Sequence, residues 1–361
     1  MSDISGRKAD HMRLATSPEA TPAGGAGFAD IQLLHRALPE VDFEALDPAL
    51  ELLGRRFDLP LVVASMTGGH AAGGDVNAVL ARVAERRGLP MGLGSQRAAL
   101  RDPSLRESYT IARRMAPNAF LMANVGAPQL IRQGDTPGLT SAEVGDLADM
   151  IRADAVIVHL NPIQELSQPE GDRSSAGWID AIARLVADLP IPVVAKETGG
   201  GVSEAVAREL ASAGVAAIDV GGRGGTNFAA IEGLRAQEQG NERAAALASA
   251  LSGWGIPTAV SIVLAARAGL PTIGTGGIRT GIDAARAINL GASAVGVARP
   301  LLEAAVAGGD AAVELWIDGF REELLAAMFL TGSMRLVDLR RVPRVVTGET
   351  ARWLDALASK D

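Results

Sequence analysis

Eight short apolar runs, nearly all ending in a polar or glycine-rich cluster, constrain this chain more than any other feature. They lie near Leu61 to Ser65, Met91 to Leu93, Phe120 to Asn124, Ala155 to Leu160, Ile191 to Lys196, Ala217 to Val220, Thr272 to Gly274 and Ala294 to Gly296. Runs of this length, rich in β-branched residues, read as buried parallel strands. Ala-rich helical stretches separate several of them, at Ala78 to Arg87, Trp178 to Asp188, Ser203 to Ala213, Ala259 to Ala268 and Gly281 to Leu290. The segment between the second and third runs gives no clear pattern. An open doubly wound sheet shares this rhythm, and the position of the clusters separates the two architectures. SMTGGH, GLGSQR, NVGAPQ, HLNPIQE, KETGGG, DVGGRGGTN, GTGGIRTG and GVARP follow the successive runs. A barrel gathers eight such loops at one mouth, whereas an open sheet concentrates them at a switch point. The expected fold is α/β, a TIM (β/α)8 barrel over residues 56–310.

Two flanking segments complete the division. Residues 1–55 read as an N-terminal arm or lid, with Arg7, Lys8, His11, His35 and Arg36 and a Pro/Gly-rich connection from Pro18 to Gly27. In residues 311–361, Val313, Trp316, Ile317, Phe320, Leu324, Ala327 and Met328 recur at helical spacing, which predicts C-terminal helices packed on the barrel. With 361 residues, 48% of them hydrophobic, the chain can bury a large core. It has no cysteine, which removes disulfides, thiolate metal sites and a cysteine nucleophile together. The net charge of -8 argues against a nucleic-acid or anionic-membrane surface, so any anionic ligand must be held by local charge. The N-terminus lacks the apolar core of a signal peptide, and no segment reads as a span of ~20 apolar residues, so a soluble, cytoplasmic protein is expected.

The clusters also carry chemistry. GTGGIRTG offers backbone N–H groups with Arg279 nearby and a helix beginning at about Gly281, and GVARP follows the last run. Loops after strands seven and eight are the usual phosphate grip of a barrel. The spacing is not G-x-G-x-x-G, so a Rossmann dinucleotide site is a poor match. Lys196 ends the fifth run and is either a Schiff-base nucleophile or a fixed positive charge. Glu197 and the glycines after it provide no apolar pocket to depress a lysine pKa, which favours the fixed charge. In HLNPIQE, His159, Asn161, Gln164 and Glu165 place four hydrogen-bonding side chains at one strand end.

Taken in order, ASMTGG, GLGSQR, NVGAPQ, HLNPIQE with PEGDR, KETGGG, GGRGGTNFAAIE, GTGGIRTG and LGASAVGVARP resemble the successive motifs of type 2, FMN-dependent isopentenyl-diphosphate isomerases. RKADH, HRALPE and AMFLTG extend the resemblance over nearly the whole chain. Thr198 departs from it, standing where a small apolar residue is expected. The resemblance implies interconversion of isopentenyl and dimethylallyl diphosphate, with FMN, Mg2+, and NADPH as reductant of the flavin. It implies that Glu165 holds Mg2+, that Gln164 faces the reacting hydrocarbon, and that His159 and Asn161 orient the diphosphate. Arg7, Lys8, Ser95, Gln96 and Arg97 would supply further diphosphate contacts. Ser65, Met66, Thr67, Ser95, Asn124, Lys196, Thr226, Gly276, Gly277, Arg279, Ala298 and Arg299 would line the FMN site. A homo-oligomer, tetramer or octamer, is also implied.

Two rivals share the fold. An FMN-dependent 2-hydroxy-acid oxidase or dehydrogenase requires a histidine base late in the chain, where this sequence reads Val220-Gly221-Gly222-Arg223. All four histidines, His11, His35, His70 and His159, lie in the first half. A non-catalytic flavin-binding barrel needs neither Gln164 nor Glu165.

Overall fold

Every predicted run supplies a strand of one closed parallel barrel in the computed structural model. The structure describes residues 4–17, 20 and 25–358, without the side chains of residues 4, 5, 7 and 9. The strands are β1 (Leu61–Val63), β2 (Met91–Gly92), β3 (Leu121–Gly126), β4 (Ala155–Leu160), β5 (Val193–Glu197), β6 (Ala217–Asp219), β7 (Thr272–Thr275) and β8 (Ala294–Val297). Their order around the ring is β7-β8-β1-β2-β3-β4-β5-β6. β1 ends earlier than expected because its ladder to β8 stops at Val63, which releases Ala64 and Ser65 into the mouth. β3 and β5 run further, to Gly126 and Glu197.

The ladder register builds the site. Gly126 pairs with His159, His159 with Lys196, and Lys196 with Asp219. Directly paired residues of parallel strands point to the same face, so this row crosses β3 to β6 at one level.

At the other end a hairpin closes the floor. Leu50–Leu52 pairs with Arg55–Phe57 through a two-residue turn in which Leu53 and Gly54 both have positive φ, the geometry of a type I′ turn. Leu52 and Phe57 pack into a cluster with Val62, Phe120, Met122, Ile157 and Ile273. Burying an apolar side chain of this size contributes ~1.5–3 kcal/mol. The expected division after residue 55 falls within this hairpin, whose Leu52 and Phe57 pack on the floor of the barrel.

Around the barrel lie α1 (Ile4–Ala15), α2 (Ala71–Arg87), α3 (Glu107–Met115), α4 (Pro162–Ser167), α5 (Phe228–Glu238), α6 (Glu242–Leu251), α7 (Gly281–Leu290) and α8 (Arg299–Leu330), among others. α2 begins at Ala71 rather than Ala78 because Gly73 and Gly74 are packing residues, not a loop. A Cβ on Gly74 would lie 3.2 Å from the Ser108 Cα of α3. α3 lies in the segment whose sequence shows no clear pattern. Its Arg113 is buried and donates to the carbonyls of Ala116, Ala119, Ile151 and Arg152, so a charged residue occupies a core position. α5 and α6 form an additional hairpin after β6, before the expected helix, which spans Thr258–Ala266.

α8 carries the predicted apolar stripe, with Val313, Ile317, Phe320, Leu324 and Met328 buried. Its helical conformation is interrupted at Gly308 and Gly309, just before the expected boundary at 310. Beyond that break it is fastened to α2 by Arg82–Asp310 and Arg87–Asp318 ion pairs. Ile31–Leu33 of the arm pairs antiparallel with Arg344–Val346, tying the two flanks together. Of the connection expected from Pro18 to Gly27, residues 18, 19 and 21–24 lie outside the described residues. Among those described, no helix is long and apolar enough to cross a membrane.

Candidate active site

A cavity of about 630 Å³ opens at the C-terminal ends of the strands. It brings together Lys8, Ser65, Met66, Thr67, Ser95, Arg97, Asn124, His159, Asn161, Gln164, Glu165, Lys196, Thr226, Gly276, Gly277, Arg279, Ala298 and Arg299. Arg7 lies on α1, but its side chain is outside the described residues. Gln96 does not join them. It is fully buried, its Nε2 donates to the Leu147 carbonyl and its Oε1 accepts from the Asn124 N–H, so its side chain braces the wall beneath the cavity.

The row across β4 to β6 is electrostatically tuned. Asn124 Nδ2 donates to the Leu93 carbonyl at 2.9 Å, which turns its Oδ1 to His159 Nδ1 at 2.8 Å. His159 Nδ1 then carries the proton and Nε2 the lone pair. Burial, reinforced by Arg97, Lys196 and Lys8, pushes the imidazole pKa down to about 3, so the ring is neutral at pH 7. Next to it, Lys196 Nζ lies 3.3 Å from Asp219 Oδ2 and donates to the Glu197 carbonyl at 3.0 Å. Burial raises the Asp219 carboxyl above its ordinary value, against the pull of Lys196. The lysine is thus half of a buried ion pair facing the cavity.

α4 begins directly after Asn161, with Pro162 in its first turn. Asn161 Nδ2 donates to Gln164 Oε1 at 3.1 Å and to Glu165 Oε1 at 2.8 Å. Glu165 Oε2 accepts from Gln168 Nε2 at 2.6 Å and from the Asp172 N–H at 2.7 Å. Oε2 is saturated, while Oε1 keeps one lone pair. Asp172 also pairs with Arg97 at 2.8 Å.

α1 passes over the mouth and is fastened by Lys8. Its ammonium donates to the carbonyls of Gly68 and Ser95 and to the Tyr109 hydroxyl, at 2.9, 2.7 and 2.6 Å. Further along, His11 Nε2 lies 2.7 Å from Glu232 Oε1, and Glu232 pairs with Arg235. Burial pushes the Glu232 carboxyl up, but His11 and Arg235 outweigh it and hold it below its ordinary value. Tyr109, Asp219, Glu232 and Arg235 were not anticipated. Asp219 is signalled only by its place at the end of an apolar run and Glu232 only as the last residue of GGRGGTNFAAIE, while Tyr109 and Arg235 have no local signal.

The loops after β6 and β7 meet through backbone. A Cβ at Gly277 would lie 2.6 Å from the Gly224 carbonyl oxygen, and one at Gly276 would collide with that of Gly222. Arg299 donates to Glu303 and to the carbonyls of Thr16 and Ser17, so the proposed phosphate corner also receives the end of the arm. A flavin phosphate suits this glycine-walled recess, while Ser65 Oγ, buried without a hydrogen-bond partner, lies on the other side against Gly92. For a divalent cation, the described residues provide no cluster of three potential ligands. The single carboxylate of Glu165 suits Mg2+, whose oxygen shell water and phosphate complete.

The FMN-dependent dehydrogenase family matches residues 9–102 and 98–343. The chain is 47% identical over 353 residues to the isopentenyl-diphosphate delta-isomerase of Methanoregula boonei, covering 97% of this chain and 96% of that protein. It is 44% identical to the protein of the same name from Methanothermobacter thermautotrophicus, covering 98% and 96%. Among solved structures, a mandelate oxidase mutant with a monooxide FMN adduct superposes with a TM-score of 0.64 at 21% identity, over 96% of this chain and 98% of that one. Mandelate oxidase with benzoyl-formic acid gives 0.63 at 19%, over 94% of each. At these identities the structural likeness speaks for the fold alone.

Proposed function

From a chain that belongs to the FMN-dependent dehydrogenase family and, within it, to the isopentenyl-diphosphate delta-isomerases, we infer an enzyme that interconverts isopentenyl and dimethylallyl diphosphate. The observation that carries this reading is identity of 42–47% over nearly the full chain to proteins of that name, in a fold whose mouth gathers Gln164 and Glu165. The hydroxy-acid oxidase alternative lacks its base. At the corresponding loop Gly221 and Gly222 present no side chain, and Arg223 pairs with Glu349.

The reaction adds a proton at C4 of the alkene and removes one from C2, with no net oxidation. Bound reduced FMN supplies ring nitrogens able to exchange protons beside the substrate. The residues of the chain position and shield. Gly276 and Gly277 with Arg279 receive the flavin phosphate, and Lys196, paired with Asp219, stands as a fixed cation at the flavin site. Gln164 faces the hydrocarbon. Because Asn161 holds its Oε1, the amide is oriented, and a neutral amide does not trap a cationic centre as a stronger nucleophile would. Lys8, Ser95 and Arg97 hold the diphosphate, and Glu165 Oε1 holds Mg2+. Since Lys8 and Arg97 already have protein partners, substrate binding exchanges those contacts for charge-assisted bonds to phosphate. His159 faces the same end. To donate through Nε2 it must take up a proton, which an arriving anion favours.

NADPH serves only to reduce the flavin. The enzyme acts in the cytoplasm, in isoprenoid biosynthesis, as a homo-oligomer. An apolar surface suits self-association: Leu38 and Phe43 are 74% and 42% exposed, with Leu330 and Met334 at 47% and 42%. Their segments adjoin, Arg36 N–H donating to the Leu330 carbonyl and Asp47 N–H to that of Met334.

The test is anaerobic incubation of the protein with FMN, NADPH, Mg2+ and isopentenyl diphosphate in D2O, followed by NMR. Deuterated dimethylallyl diphosphate, formed only with reduced flavin and without stoichiometric NADPH consumption, is expected. No product from FMN-loaded protein overturns the reading.

A further inference from the structure

We propose that His70 is a further contact for the anionic end of the substrate, its Nε2–H donating to a diphosphate oxygen at the first turn of α2. The proposal deepens the isomerase reading and rests on it. His70 is the N-cap of α2, and its Nδ1 accepts the Gly73 N–H at 3.2 Å. In a neutral ring this leaves the proton on Nε2. His70 lines the cavity at only 7% exposure, and Nε2 has no hydrogen-bond partner among the described residues. Nε2 is not among the fully buried atoms that lack a partner, so this donor stays open to the cavity, where a ligand can accept from it.

The surroundings specify an anion. The first turn of a 17-residue helix presents its positive end here. Lys8 donates to the carbonyls of Gly68 and Ser95, which puts an ammonium within the same corner. Burial and then Lys8 lower the His70 pKa, so the ring is a neutral donor near pH 7. The loop that carries it is rigid. Gly68 and Gly69 have positive φ, the Tyr109 ring occupies the space a Gly68 side chain would need, and the Gly69 N–H donates to Ser108 Oγ at 2.8 Å. Gly73 lets the imidazole lie against the helix, since a Cβ there would stand 2.9 Å from Nε2. The diphosphate is the anion this corner fits, because Ser95 and Arg97, the proposed diphosphate groups, share the cavity wall with His70.

Two variants of the FMN-loaded enzyme test this. His70→Ser keeps an oxygen to cap α2 and removes the Nε2 donor, whereas His70→Asp caps at least as well and adds a negative charge. A hydrogen bond to a charged group is expected to make KM for isopentenyl diphosphate rise about tenfold in His70→Ser, with the loss falling on KM rather than kcat. His70→Asp should raise it further. A purely structural cap predicts both variants at the wild-type KM, and that result overturns the proposal. So does weakened FMN retention with an unchanged KM, which would assign the donor to the flavin. Pyrophosphate binding to the same FMN-loaded proteins separates this inference from the isomerase reading. If the wild type turns over no isopentenyl diphosphate, weaker pyrophosphate binding by both variants still supports an anion contact at His70, and equal binding rejects it.

Discussion

The rim formed by β4 and α4 and the rim formed by the loops after β6 and β7 face one cavity but recognise in different ways. On the first, side chains hold one another: Asn161 fixes Gln164 and Glu165, and Gln168 fixes Glu165 again. On the second, side chains are missing where backbone meets backbone, as between Gly276 and Gly222 and between Gly277 and Gly224. The contrast suits the ligands proposed for each rim. A metal and a reacting alkene need individual functional groups at set positions, while a phosphate is gripped by many N–H groups at close approach. Adding an atom should therefore damage the second rim, and removing a charge should damage the first.

Gly276→Ala is the harshest test. With φ at +120° and its Cβ driven into the Gly222 carbonyl, the loop must shift. The barrel strands do not depend on it. We expect roughly 100-fold weaker FMN binding with an unchanged far-ultraviolet circular dichroism spectrum. An FMN titration of apoprotein checks this, and normal affinity would show that the glycine wall is mere turn geometry.

Glu165→Gln makes the opposite change, keeping the shape of the side chain while removing its charge and, with the NH2 at the Oε1 position, the bond from Asn161. We expect kcat to fall by at least about 100-fold, since a metal's electrostatic contribution is worth several kcal/mol, together with a raised Mg2+ requirement. FMN retention should stay normal. Full turnover at an unchanged Mg2+ requirement would refute the metal assignment, and loss of FMN would break the separation of the two rims.

The same contrast explains what the sequence reveals. The glycine clusters and HLNPIQE are local in sequence, so their chemistry is legible, and so is the eight-strand rhythm. Contacts assembled by the fold are not. Glu232, the last residue of GGRGGTNFAAIE, and Arg235 give no sign in the sequence of their burial, yet they are 1% and 6% exposed, sealed beneath α1 by His11 and each other. Gln96 lies between Ser95 and Arg97, which line the cavity, but its side chain points into the wall to bond Leu147. Tyr109 acts from a helix that a buried arginine conceals. Even β2, two residues long, is recognisable only because GLGSQR follows it.

The mildest test concerns the protonation that the side-chain rim forbids. His159 titrates near pH 6.5 when unfolded, whereas in the protein burial and three nearby cations take it down to about 3. Because the folded state disfavours the proton, its contribution to stability is fully present above pH 6.5 and is lost progressively as pH falls toward about 3. His159→Asn removes that titration. The stability gap between wild type and variant should therefore shift against the wild type on acidification from pH 7.5 to 4, by a few degrees in melting temperature. The glycine rim has no such titrating group, so Gly276→Ala should show the wild-type slope across the same window. Parallel curves for wild type and His159→Asn would mean that the imidazole is solvated, and that the row from Gly126 to Asp219 is more open to water than its packing indicates.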